Sequence, residues 1–153
     1  VRKDLVGKAP ENTPIYLDYK THAEKGSMYN TPPCYTIYVA GEVFKYLLAN
    51  GGIPAMHEKD VRKAQKIYDY LDSSELFRGT VAKEDRSLMN IPFVTGDPDL
   101  DKEFIAGAKE RNMINLKGHR IAGGMRASVY NAFPEEGVDA LIEYMKEFEA
   151  AHK

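Results

Sequence analysis

Between residues 117 and 128 the chain reads Lys-Gly-His-Arg-Ile-Ala-Gly-Gly-Met-Arg-Ala-Ser. Two arginines, Arg120 and Arg126, and one histidine, His119, sit there among three glycines. A guanidinium is a planar fork that matches a carboxylate or a phosphate, often through two parallel hydrogen bonds. An imidazole donates to the same oxygens. Fully extended, the six residues from Arg120 to Arg126 would hold the arginines about 20 Å apart. Gly123-Gly124 allows the chain to fold back between them and lets a ligand approach the backbone. Two separate cationic grips suit a small metabolite with two separate anionic groups. The alternative for the same residues is a glycine turn between strands with two surface arginines.

Asn30-Thr31-Pro32-Pro33 is a second candidate. Its amide and hydroxyl stand where a loop stiffens before a helix, placed to hydrogen-bond a phosphate or to cap that helix. Tyr29, Tyr35 and Tyr38 are read as packing residues. Cys34 has no base beside it in sequence and is read as a small packing residue rather than a nucleophile. As the single cysteine it forms no internal disulfide, which suits a reducing cytoplasm. His22, His57, His119 and His152 show no metal-ligand spacing, so no metal site is expected. His152 is expected in solvent.

These groups must be positioned by the elements around them. Residues 1–33 look irregular, interrupted by Pro10, Pro14, Pro32 and Pro33; Ile15 to Tyr19 reads as one short strand. Ile37, Ala40, Val43, Phe44, Leu47 and Leu48 recur at helical spacing, and Asn50-Gly51-Gly52 supplies a cap and a break. A helix follows from about Pro54 to Leu71, with Val61, Ala64, Tyr68 and Leu71 inward and a solvated face of Lys, Glu and Asp. Strands are predicted over 77–81, 88–94, 114–117 and 125–130, Pro92 marking an edge or irregular strand. Asp97-Pro98 opens a helix with Leu100, Phe104, Ile105 and Ala108 inward. Pro134-Glu135-Glu136 opens the last, with Val138, Leu141, Ile142, Met145 and Phe148 inward and two acids at its positive end.

Residues 53–153 therefore predict an α+β fold (an α/β sandwich), a sheet with helices on one face. Residues 1–52 form a different unit.

Apolar residues make up 43% of the 153 and charged residues 29%, the composition of a globular chain. The net charge of −2, with both signs interspersed, argues against nucleic acid as a partner. No apolar run is long enough for a membrane helix. The chain begins at Val1 without Met or a signal-like apolar stretch, and is expected to be processed, truncated or cut from something larger.

Taken together, Gly26-Ser27-Met28-Tyr29-Asn30-Thr31-Pro32-Pro33, Asn50-Gly51-Gly52, Arg86-Ser87-Leu88-Met89-Asn90-Ile91-Pro92-Phe93, Lys117-Gly118-His119-Arg120 and Gly123-Gly124-Met125-Arg126-Ala127-Ser128-Val129-Tyr130-Asn131-Ala132 resemble the phosphoserine aminotransferase family in order and spacing. The resemblance covers essentially the whole chain. It implies a homodimeric, cytoplasmic fold-type I enzyme that uses pyridoxal 5'-phosphate. Such an enzyme moves an amino group from glutamate to 3-phosphohydroxypyruvate, giving 2-oxoglutarate and phosphoserine in serine biosynthesis. It further implies that Asn30 and Thr31 bind the cofactor phosphate in the neighbouring subunit's site. His119 and Arg120 would hold the distal phosphate or glutamate's side-chain carboxylate, and Arg126 the α-carboxylate. The family's Schiff-base lysine, its cofactor-stacking aromatic residue and its pyridine-pairing aspartate have no match here. The chain would thus be the family's C-terminal portion: the end of the large domain (1–52) and the small C-terminal domain (53–153), inactive by itself. A reading of another class is a non-catalytic anion-binding or dimerisation module.

Overall fold

The computed structural model describes residues 1–152. The chain divides into two compact units, Val1–Tyr46 and Leu47–Lys153, a division five residues before the Gly51-Gly52 break.

In the first unit, single 3-10 turns at Lys3–Leu5 and Ile15–Leu17 are followed by α1 (Tyr19–Glu24) and by α2 (Cys34–Ala49), which runs on past the division. The strand expected at Ile15–Tyr19 is absent. Pro14 starts a turn there instead, Leu17 N donating to Pro14 O at 2.8 Å. Asp18 then caps α1 by accepting from Lys20 N at 2.9 Å. Among the described residues of this unit none is buried. Tyr29, Tyr35 and Tyr38 are exposed rather than packed, and Cys34 is exposed too. These corrections share a cause: the unit has no interior of its own to receive them.

The second unit has a core. α3 (Gly52–Ser73) begins after Gly51, whose φ of +90° and close approach to Ala55 suit glycine alone. β1 (Arg78–Gly79), β2 (Asn90–Val94) and β3 (Met125–Ser128) form an antiparallel sheet in the order β1-β2-β3. α4 (Pro98–Glu110) starts as its residues predict, Asp97 Oδ1 accepting from Asp99 N at 2.8 Å. α5 (Glu135–Ala151) closes the unit.

Sheet residues alternate. Ile91, Phe93, Met125 and Ala127 are buried against Ile67 and Leu71 of α3, Phe104 and Ala108 of α4, and Val138, Met145 and Phe148 of α5. Phe77, Phe93, Phe104 and Phe148 meet mostly edge to face at the centre. Asn90, Pro92, Val94, Arg126 and Ser128 alternate with these buried residues on the opposite face, and none of them is fully buried.

Three expectations change here. The strand over 114–117 shrinks to a bridge between Lys117 and Met125, because Asn112 and Asn115 adopt positive φ (63° and 65°) and turn the chain out of register. The charged face of α3 is not wholly solvated. Lys63 is 0% exposed and Asp60 is buried beside it, 3.0 Å apart. Lys63 Nζ also donates to the carbonyls of Val129 (3.1 Å) and Tyr130 (2.7 Å). Val61, expected inside, is instead exposed, while Met56 and Ile67 take core positions.

Candidate anion-binding site

The fold-back predicted between Arg120 and Arg126 is a hairpin. Arg126 N donates to Leu116 O at 2.7 Å, Gly118 N to Gly124 O at 2.9 Å and Gly123 N to His119 O at 2.8 Å. The loop 118–124 is thereby closed at its base, and Arg126 stands two residues beyond that closure on β3.

Two glycines are required by this geometry. A Cβ on Gly118 would lie 2.1 Å from Gly123 O. On Gly124, at φ +63°, it would lie 2.6 Å from Val94 Cγ1 and 2.9 Å from Phe93 O. The third, Gly123, has open space around it but a φ of +72° that side chains other than glycine rarely adopt.

His119 and Arg120 are exposed on the loop. His119 Nδ1 accepts from Ile121 N at 3.3 Å. That assignment leaves Nε2 to carry the proton and to donate to an incoming oxyanion.

Arg126 pairs with Pro92 across the sheet, opposite in direction to buried Met125 and Ala127. Its Nε is buried and has no hydrogen-bond partner. A buried donor on a permanent cation is costly unless an acceptor arrives. Arg126 also lines a cleft of about 510 Å³ walled by Met113, Leu116, Val129, Phe133 and Leu141. His119 and Arg120 do not line that cleft. Among the described residues no hydrogen bond or ion pair joins them to Arg126. The sequence's three candidates in this unit thus share one hairpin but not one cavity.

Asn30 and Thr31 lie in the first unit, both exposed. Asn30 Nδ2 donates to Thr31 O at 3.1 Å. They stand immediately before the two prolines that lead into α2, and no Asp or Glu occurs from residue 25 to 41. An amide, a hydroxyl and a helix N-terminus without nearby acid form a donor set for an anion.

Lys63 is the residue that a reading of the charged face misses. A signal was present: positions 56, 60, 63, 64, 67 and 71 share one helical stripe, and all six are buried. Among the described residues no cluster of His, Cys, Asp or Glu could hold a metal ion, and no helix is long and apolar enough to cross a membrane.

The model of the aminotransferase class-V family matches residues 5–141. A phosphoserine aminotransferase of Lactiplantibacillus plantarum is 53% identical over 153 residues, 100% of this chain and 43% of that protein. The solved phosphoserine aminotransferase of Bacillus circulans subsp. alkalophilus superposes with a TM-score of 0.92 at 40% identity, covering 100% of this chain and 43% of that one. A pyridoxal-phosphate-bound phosphoserine aminotransferase from Trichomonas vaginalis gives a TM-score of 0.85, also at 40% identity, covering 95% and 42%. The chain spans about two fifths of the length of these relatives.

Proposed function

Because the chain belongs to the aminotransferase class-V family, we propose that it is part of a cytoplasmic, homodimeric phosphoserine aminotransferase. That enzyme exchanges the amino group of glutamate for the keto oxygen of 3-phosphohydroxypyruvate, yielding 2-oxoglutarate and phosphoserine. Residues 1–52 belong to its large cofactor-binding domain, and 53–153 form its small domain.

The observation that carries this reading is the Gly-rich hairpin with its unpartnered arginines. Arg126 Nε is buried and lacks an acceptor, and an α-carboxylate supplies one. The fork geometry then fixes the substrate's orientation through two parallel hydrogen bonds. His119, donating from Nε2, and Arg120 take the distal phosphate or the γ-carboxylate of glutamate from the exposed loop. The substrates of both half-reactions carry two separate anionic groups, so one pair of grips serves both. The cleft beside Arg126 lowers the local dielectric and strengthens that contact.

Asn30 and Thr31 fit the phosphate of pyridoxal phosphate: two neutral donors, exposed, with no Asp or Glu nearby in sequence. Bound there, the cofactor supplies the electron sink for moving the amino group. The Schiff-base lysine lies outside residues 1–153, so this chain holds and orients but does not itself carry the covalent link.

In the parent enzyme, Arg126→Ala lowers kcat/KM for glutamate by about a hundredfold, the loss of a charge-assisted bidentate contact. Unchanged steady-state kinetics would remove the role. Residues 1–153 alone show no covalently bound cofactor by absorbance and no amino transfer; either signal from this chain sinks the assignment of the lysine elsewhere. Tight binding of phosphoserine by the isolated chain would favour a self-sufficient anion-binding module instead. The parent's coding sequence on both sides of these residues locates the lysine directly.

A further inference from the structure

Six arginines lie in the second unit. Arg62, Arg86 and Arg111 are paired with Glu135, Asp72 and Glu147. Among the described residues Arg78, Arg120 and Arg126 form no ion pair. In a chain whose acids outnumber its Lys and Arg, 23 to 21, three arginines without acids at one place are a pattern to explain.

They do share a place. Arg78 pairs with Val94, and Phe93 pairs with Met125, which sets Val94 against Gly124. Gly124 packs on Val94 and in turn accepts from Gly118 N. Arg78, Val94, Gly124 and Gly118 thus form one row across the sheet, at the mouth of the loop that carries His119 and Arg120. From Arg78 to Gly124 is two strand spacings, about 10 Å. Arg126, two residues along from Gly124, faces the same side as Arg78, away from the core.

Arg78 is also held in place. A Cβ on Gly96 would lie 3.5 Å from Arg78 Nη2, 3.7 Å from Cζ and 3.9 Å from Nη1. The guanidinium therefore lies over Gly96, with its donors unspent.

We propose that Arg78 is a further specificity contact. With His119 and Arg120 it grips the distal phosphate of the phosphorylated substrate. This rests on the function proposed above. A phosphate dianion has three acceptor oxygens and rewards a second guanidinium, whereas the γ-carboxylate of glutamate, with two oxygens and one charge, is satisfied by Arg120 alone. Arg78 therefore discriminates between the two substrates, which Arg126 does not.

The test uses the full-length parent with Arg78→Gln and Arg78→Lys, together with Arg126→Gln as a reference. Arg78→Gln is expected to raise KM for 3-phosphohydroxypyruvate about tenfold. KM for glutamate stays within about twofold, kcat and the melting temperature are unchanged, and Arg78→Lys recovers most of the loss. Inorganic phosphate, titrated calorimetrically, binds Arg78→Gln about tenfold more weakly than the unaltered protein. Equal effects on both substrates, or none on phosphate binding, overturn the assignment. If the unaltered parent transfers no amino group, the proposed function fails by itself. The phosphate titration then decides Arg78 independently.

Discussion

The two units of this chain use apolar residues in opposite ways. In Val1–Tyr46, Ile37, Tyr38, Val43 and Phe44 of α2 are all exposed, and Tyr35 reaches 80%. A helix apolar on every side is ordinarily an interior helix. In Leu47–Lys153 the same residue types converge on one core of Phe77, Phe93, Phe104, Met145 and Phe148. The first unit has sequence for an interior without having one, while the second is complete in the sense that matters for folding. The consequence is that stability measured on this chain reports the second unit.

The comparison can be broken most sharply at Lys63. Lys63→Met removes a buried cation from Asp60 and from the carbonyls of Val129 and Tyr130, and should cost about 3–5 kcal/mol in urea unfolding. A loss under about 1 kcal/mol would show that the second unit does not depend on its buried polar contacts. Phe104→Ala, at 0% exposure, should cost about 3–5 kcal/mol as well. Phe44→Ala, at 62% exposure in the first unit, should stay within about 0.5 kcal/mol on the same assay. Similar losses for the two phenylalanines would erase the distinction.

Gly124→Ala comes next. Its Cβ meets Val94 and Phe93 O at a positive φ, for an expected loss of about 1–3 kcal/mol with the hairpin loosened. Gly123→Ala in the same loop has the same sign of φ but nothing within 4 Å, so the difference between the two isolates the contact from the backbone strain.

The smallest effect is a pH dependence. Arg86 and Lys83 beside Asp72 hold its carboxyl well below the usual carboxylate range. The folded value is depressed, so the stabilisation is present above the unfolded value near 4 and is lost as pH falls through the folded one. Asp72→Asn should flatten the stability curve of the second unit below about pH 4. An unchanged acid limb would remove the pair from the account.

Much of this was legible from the residues, unevenly so. Asp97-Pro98 and the 3.6-residue stripes of α4 and α5 carry their signal locally, since capping and burial are decided within one or two turns. The glycines of the 118–124 loop announced a fold-back because few other residues tolerate it. What escaped was decided at a distance. Lys63 is buried because carbonyls 66 and 67 residues away need donors. The strand at 114–117 fails because two asparagines take left-handed turns that hydrophobic pattern does not encode. Arg78 and Arg126 lie on one face of the sheet through strand register, which no spacing along the chain displays.

The separation of those partners has a consequence on the ribosome. Lys63 waits for Val129, and Tyr70 on the same helix waits for Glu149, 79 residues later. α3 is among the first elements of its unit to be synthesised and receives its polar partners from nearly the last. Until residues 129 and 130 emerge, Lys63 has only Asp60 of its own helix beside it. Long-range closure of this kind slows folding and prolongs exposure of the nascent core. The second unit is therefore expected to fold only once almost all of it has left the exit tunnel, with the carbonyls of Val129 and Tyr130 and the carboxylate of Glu149 as the late fasteners.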